Sequence, residues 1–170
     1  MSSEALRGRG GRVASAEFRR ACGRFAPGVT IATVVDAHGG PHGLTVSSFT
    51  SVSLDPPLIL ICLGHRVSAI DAFRASAHFG INVLAEDQRD LSERFTGQRQ
   101  DRFGGLKWRR GKTGVPILAG VLAAMECAVR QRFTAGDHDI FVGEMVRARV
   151  THGAPLIHFA SHYRRLDVSY

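Results

Sequence analysis

Residues 125–150 read MECAVRQRFTAGDHDIFVGEMVRARV, and the period of this stretch decides the fold. In its first half Met125, Cys127 and Val129 alternate with Glu126, Ala128 and Arg130, and in its second Ile140, Val142, Val146 and Val150 share one face. A period of two is that of a strand, whose successive side chains point to opposite sides. Two long strands, residues 125–133 and 139–150, are predicted around a turn at Gly136, Asp137 and His138.

Working outward, the same period recurs. A β-branched run occupies residues 29–35 and is closed by a turn-prone stretch from Asp36 to Pro41. Residues 44–54 form a hydroxyl-rich strand ending at Pro56 and Pro57, residues 58–63 a short one that is apolar on both faces, and residues 79–84 another. Helical spacing is confined to short pieces. Residues 16–25 are capped by Ser15 and broken at Pro27 and Gly28; residues 68–76 turn Ile70 and Phe73 to the core; residues 86–95 place Leu91 and Phe95 four apart. Residues 96–116, polar and aromatic by turns, read as a long functional or partner-contacting loop. A last apolar run, residues 155–159, precedes a tail at residues 163–166. At least six strands without crossover helices exclude a doubly wound parallel sheet and predict a mainly β fold, an antiparallel barrel with short helices.

The chain has 170 residues, 44% of them hydrophobic and 22% charged, as expected of one globular domain. Residues 1–14, which contain the string RGRGGR, are expected to be a disordered basic tail that is either solvated or anion-binding, and residues 15–170 the folded domain. The longest apolar runs are far short of the roughly 20 residues that cross a bilayer, and residues 1–12 hold no apolar signal core. A soluble, cytoplasmic protein is the expectation. Cys22, Cys62 and Cys127 lack metal-site spacing and read as reduced, mostly buried small hydrophobes. Of the 22 cationic residues only Lys107 and Lys112 are lysine. Arginine's planar fork suits phosphate and carboxylate, so anionic partners are indicated.

Two patterns carry chemistry. On the hydroxyl-rich strand Thr45, Ser47, Ser51 and Ser53 fall on one face and Leu44, Val46 and Ser48 on the other. Such a face suits the polar edge of a planar ligand or a phosphate; the alternative is an edge strand showing hydroxyls to water. His138, held in a turn by Gly136 and Asp137, suits acid–base work, metal ligation or hydrogen bonding, or is an ordinary turn residue. His38, His42, His152, His158 and His162 are not spaced to set three ligands beside an acid, so no metal site is expected. The chain has no GxGxxG, Walker loop, GxSxG or HExxH.

Taken in order, these segments resemble the short-chain flavin reductases, whose fold is the antiparallel Greek-key FMN-binding split barrel. The resemblance runs through FRRACGRFAPGVTIAT, GLTVSSFTSVSLDPPLILICL, FGINVLAEDQRDLSERF, the DRF at residues 101–103, GVPILAGVLAAMECAV, GDHDIFVGEM and PLIHFASHY. It implies an NAD(P)H-dependent flavin reductase, with FMN or FAD reduced by NADH or NADPH. It further implies a homodimer, free flavin and nicotinamide as substrates, and a separate flavin-dependent monooxygenase that receives reduced flavin by diffusion. Neither nucleic acid nor membrane is an implied partner.

Carried onto this chain, the resemblance sets Pro41, His42, Gly43, Leu44, Thr45, Ser47 and Ser48 along the isoalloxazine ring and ribityl chain. Cys62, Leu63 and Gly64 line the pocket, and Ser68 and Ala69 lie by the phosphate. Asn82, with Arg89, Ser92 and Arg94, belongs to the same pocket. His138 approaches the nicotinamide as the catalytic-side histidine, and His158, Phe159, Ala160 and Ser161 form the other nicotinamide-side segment. Two stretches depart from the family pattern: His65-Arg66-Val67 before Ser68, and Phe159-Ala160-Ser161 after PLI. Hydride transfer between two cofactors needs stacking geometry rather than a nucleophile, which accounts for the missing catalytic signatures.

Two other readings remain. In one, the same fold holds a flavin tightly, to act on another substrate or as a redox sensor. In the other, a basic β-barrel binds nucleic acid. The latter wants aromatics interleaved with basic groups on strands, whereas only Trp108 has arginine neighbours, Arg109 and Arg110, within the 96–116 loop.

Overall fold

In a computed structural model, residues 13–97 and 101–166 are described. The RGRGGR string and most of the proposed 1–14 tail lie outside them. The chain runs α1 (Ser15–Cys22), β1 (Thr30–Val35), β2 (Pro41–Val46), β3 (Thr50–Leu54), β4 (Pro57–Gly64), α2 (Ile70–Ala75) and β5 (His78–Val83). It continues through α3 (Arg89–Thr96), β6 (Trp108–Arg110), β7 (Pro116–Leu118), β8 (Ala123–Ala135), β9 (His138–Val150), β10 (Ile157–Phe159) and β11 (His162–Arg164).

Seven strands form one sheet in the order β2-β1-β5-β8-β9-β4-β3, with every neighbouring pair antiparallel. Consecutive strands β2 and β3 stand at opposite edges of this order, yet only residues 47–49 join them. In a flat sheet those edges would lie about 29 Å apart, and a link that short reaches about 14 Å. The sheet must therefore curl until its edges meet. Ser48 sits at the seam, where its hydroxyl donates to the Cys62 carbonyl and accepts from the Cys62 N–H, each at 2.9 Å. The mainly β antiparallel barrel read from the sequence is the fold observed.

Inside the curl Ala32, Val34, Leu44, Val46, Ile59, Ile61, Leu63, Phe79, Ile81 and Phe141 pack with Ile70 and Phe73 of α2. A second core lies against the outside of the β1–β5–β8 half. There Val29, Ile31, Leu84 and Ala124 meet Phe95 of α3, Phe103, Val115, Ile117, Leu118, Val121 and Leu156. Strand β1 thus has a core on each side, which is why its β-branched run shows no polar alternation. The other half of the outer surface, along β3, β4 and β9, has no such cover among the described residues: Leu58, Leu60, Cys62 and Ile140 are half-buried, and Val52 and Leu54 are exposed.

Several expectations are corrected. The single strand at 44–54 is two, because the seam turns the chain at residues 47–49; Ser51 and Ser53 therefore lie on β3 and do not continue the Thr45 face. The 96–116 loop contains β6, which pairs with β7, so Trp108, Arg109 and Arg110 are strand residues. On β8 the alternation breaks at a bulge between Glu126 and Cys127, and both are buried where Glu126 was expected outside. Helix α1 begins at Ser15 itself, whose hydroxyl makes no cap bond, and it buries none of its residues. Cys22 on this helix is exposed, against the expectation of mostly buried thiols, Cys62 is half-buried and Cys127 buried. Burial pushes the Cys127 thiol up to about 12, so it stays protonated and inert.

Candidate functional site

A cavity of about 730 Å³ opens where β2, the stretch after β4, the end of α3 and residues 101–103 converge. Its walls include Pro41, His42, Gly43, Leu44 and Thr45 from β2, Ser68 and Ala69, and Phe95 and Phe103. Seven residues marked out in the sequence are thus brought together. Local packing explains the arrangement. Parity sends Leu44 and Val46 into the barrel and leaves Thr45 on the outer side, where its hydroxyl donates to the Ser92 carbonyl at 2.7 Å and ties β2 to α3. Phe95 lies so close over Gly43 that a Cβ there would stand 2.8 Å from its ring. A glycine is required for α3 to approach the strand.

Sequence reasoning missed two cationic residues of the wall, Arg66 and Arg102. Arg102 donates to the carbonyls of Gly43 at 2.7 Å and Gly97 at 2.6 Å, and Arg94 donates to Arg102's own carbonyl at 2.7 Å. The 101–103 segment is further shaped by Asp101, which accepts from the Phe103 and Gly104 N–H groups. The signal that could have found Arg102 was the DRF triplet, whose middle residue has both a fork for anions and neighbours that fix it. At the rim, His42 bonds Asp36 at 2.7 Å. The His42 contact, with donors from the Gly40 and His38 main chain, holds the Asp36 carboxyl down to about 2.

A second group of residues gathers at the tip of the β8–β9 hairpin. Gly136 takes a positive φ of 62° and turns the chain, so His138 is the first residue of β9 and pairs with Gly64. Its ring lies 3.5 Å from where a Cβ on Gly64 would be, and its Nδ1 is 2.7 Å from Asp137, which the histidine holds below the usual carboxylate range. The His65 N–H donates to the Asp137 carbonyl at 2.9 Å, so this tip borders the segment that leads to Arg66 and Ser68.

Below it Asp139 is buried, accepting from Arg74 at 2.7 Å and Thr134 at 3.1 Å and bonding His65 at 2.9 Å. The Arg74 bond above all, then His65 and Thr134, hold this carboxyl down to about 2 against the opposing effect of burial. Asp139 was not singled out in the sequence. The available signal was a charge at the same strand parity as Phe141.

Other expected residues stand apart from the cavity wall. Leu63 is buried in the inner core, Ser47 is exposed at the bend, and Ser48 and Cys62 form the seam. Asn82 is fully buried; its amide nitrogen donates to the Ile31 carbonyl at 3.2 Å and its oxygen accepts the Leu118 N–H at 2.9 Å, joining sheet to outer core. His158 and Phe159 are on β10, and Ala160 and Ser161 form the positive-φ turn into β11. The His158 ring meets Tyr163 edge-on at 5.6 Å, and the Tyr163 hydroxyl bonds Ser92 at 2.9 Å, fastening this segment to α3. Among the described residues no three His, Cys, Asp or Glu side chains are placed to share a metal ion.

Fold and site together define a split barrel with an open groove suited to a planar, phosphate-bearing ligand. Residues 22–167 match the Flavin reductase like domain, and the chain belongs to that family. It is 47% identical over 143 residues to the FMN reductase (NADH) SmoA of Agrobacterium fabrum, with 84% of this chain and 80% of the relative covered. A reductase component of a 4-nitrophenol 4-monooxygenase/4-nitrocatechol 2-monooxygenase from Rhodococcus opacus is 40% identical, covering 87% of this chain and 79% of that one. The protein named "Probable flavin reductase" of Rhizobium meliloti is 46% identical over 128 residues, and the chain spans 41% of its length. Among solved structures, the Streptomyces globisporus NADH:FAD oxidoreductase SgcE6 in complex with NAD and FAD fragments superposes with a TM-score of 0.85. It is 35% identical, with 91% of this chain and 94% of that chain covered.

Proposed function

We propose that this chain is an NAD(P)H:flavin oxidoreductase that binds FMN or FAD in the 730 Å³ cavity and reduces it with NADH or NADPH. The observation that carries the reading is the chemistry of one wall. Apolar Phe95 and Phe103 suit a flat ring, the main chain of β2 with the Thr45 hydroxyl suits its polar edge, and Arg66, Arg102 and Ser68 suit phosphate. When both are bound, the nicotinamide supplies hydride and the flavin accepts it. This chain's residues bind and orient: Arg102, anchored through Gly43 and Gly97, keeps its charge at the mouth, and His138, paired with Gly64 at the β8–β9 tip, is the residue assigned to the nicotinamide in this reading.

Reduced flavin then passes to a separate monooxygenase, a role supported by the relatives that are reductase components. A homodimer is supported by the uncovered outer half of the barrel and by exposed Phe18, Phe25 and Phe133. No helix is long and apolar enough to cross a membrane among the described residues.

The test is a matrix of NADH and NADPH against FMN, FAD and riboflavin, followed at the nicotinamide absorbance. Turnover that requires added flavin is expected. Silence with every pair overturns the proposal, and yellow colour surviving gel filtration replaces the diffusible-flavin mode with the tightly bound one.

A further inference from the structure

On the outer flank, apart from the proposed flavin cavity, lies another of about 530 Å³, and the two share no lining residue. Its apolar side is built from Ile117, Leu118, Val121 and Ala124, all buried members of the outer core. Three cationic residues, Lys107, Arg109 and Arg149, line it together with Trp108. Pairing explains their convergence. Arg149 faces Ala124 across the β8–β9 ladder and Arg109 faces Ile117 across β6–β7, and directly paired residues project to the same side. None of the three cations joins an ion pair among the described residues; the nearby Glu126 instead accepts from the Thr113 N–H and hydroxyl and lies 3.9 Å from Arg147. Uncompensated cations around an apolar, concave floor select a ligand that is both flat and anionic. The volume is that of a small-molecule site.

We propose that this cavity binds a small aromatic carboxylate, its ring on the Ile117–Ala124 floor beside Trp108 and its carboxylate between Arg109 and Arg149. The site is independent of the flavin cavity and does not require the chain to be a reductase. Trp108 is the single tryptophan in the sequence, so its emission reports on the site directly.

The experiment titrates the purified protein, without flavin, with benzoate, acetate and inorganic phosphate while Trp108 fluorescence is followed, and repeats the benzoate series by calorimetry. Benzoate is expected to give a saturable change with a dissociation constant of about 1 mM or below, and acetate and phosphate to bind at least tenfold more weakly. The double variant Arg109→Ala, Arg149→Ala is expected to lose at least tenfold in benzoate affinity. Val121→Phe, which fills the floor and keeps every charge, should lose as much. Lys112→Ala, which removes a positive charge outside the lining, and Arg102→Ala in the other cavity should leave the affinity unchanged. Absence of saturation, equal binding of acetate, or loss of the signal in Arg102→Ala overturns the proposal. So does poly-glutamate displacing benzoate at lower carboxylate concentration, which would make the flank a docking surface for an acidic chain.

Discussion

The inner core and the outer core are separated by the thickness of one sheet, and they do different work. Inside the curl, Phe79, Ile81, Phe141 and Leu63 pack the barrel and line none of the cavities described; of the buried inner core only Leu44 and Ala69, at its margin, reach the wall of the 730 Å³ cavity. Outside, the same kinds of residue are spread under α3, residues 101–107 and the β6–β7 hairpin, and every cavity described has outer-core residues in its wall: Phe95 and Phe103 in one, Ile117 and Val121 in another. The difference teaches that a small barrel has no room inside for a ligand. Stability is concentrated within and recognition on one outer flank, where loops bring residues from distant parts of the chain together.

The sharpest test of that division is Phe141→Ala. This fully buried ring meets Phe73 edge-on at 6.0 Å, and its removal should cost about 3–5 kcal/mol in urea unfolding while FMN affinity of the folded protein stays within about twofold. A loss below about 1 kcal/mol would break the comparison. Phe103→Ala crosses the line from the other side. Phe103 contacts Phe95 at 5.1 Å and Trp108 at 5.4 Å, so about 3 kcal/mol of stability should be lost along with roughly tenfold in FMN affinity. Unchanged FMN binding would detach the outer core from the site.

His138→Ala is expected to leave the urea midpoint nearly unmoved, since the ring is exposed and among the described residues bonds only its neighbour Asp137, while the nicotinamide KM rises about tenfold. An equal rise in KM for flavin would count against its assignment to the nicotinamide side.

The smallest effect is the acid limb. Asp139 is held at about 2 in the fold against 3.8 when unfolded, so its stabilising contribution is complete above about pH 4 and fades as pH falls toward 2. Asp139→Asn should flatten the fall of urea midpoint across that window. A slope identical to that of the parent protein would remove Asp139 from the fastening of α2 to the hairpin.

Legibility in the sequence followed how local the cause was. The long β8–β9 hairpin, the burial of Ile70 and Phe73, and the placing of Phe95 were readable because period two or spacing four is written within a few residues. The split of 44–54 was not, because the bend at 47–49 is imposed by a sheet whose edges must meet. Nor was the bulge that buries Glu126, whose partner Thr113 comes from a stretch read as loop. On the site, β2 was marked by Thr45 and by the family resemblance, since most hydroxyls of the 44–54 stretch fall at the bend or on β3. Arg66 could not be told from the other arginines until distant segments had packed, and Arg102 was marked only by its place in the DRF triplet.

The order of strands also bears on how the molecule comes into being. The β1–β2 and β3–β4 hairpins are local and can form as soon as their own residues exist; in the finished sheet they meet at the seam of residues 47–49 and are bridged on the other side by β5, β8 and β9. During synthesis the two halves wait for that bridge, so β4 has its second neighbour only after β9 has emerged. A nascent chain shorter than that leaves one edge of β4 unpaired and the barrel open.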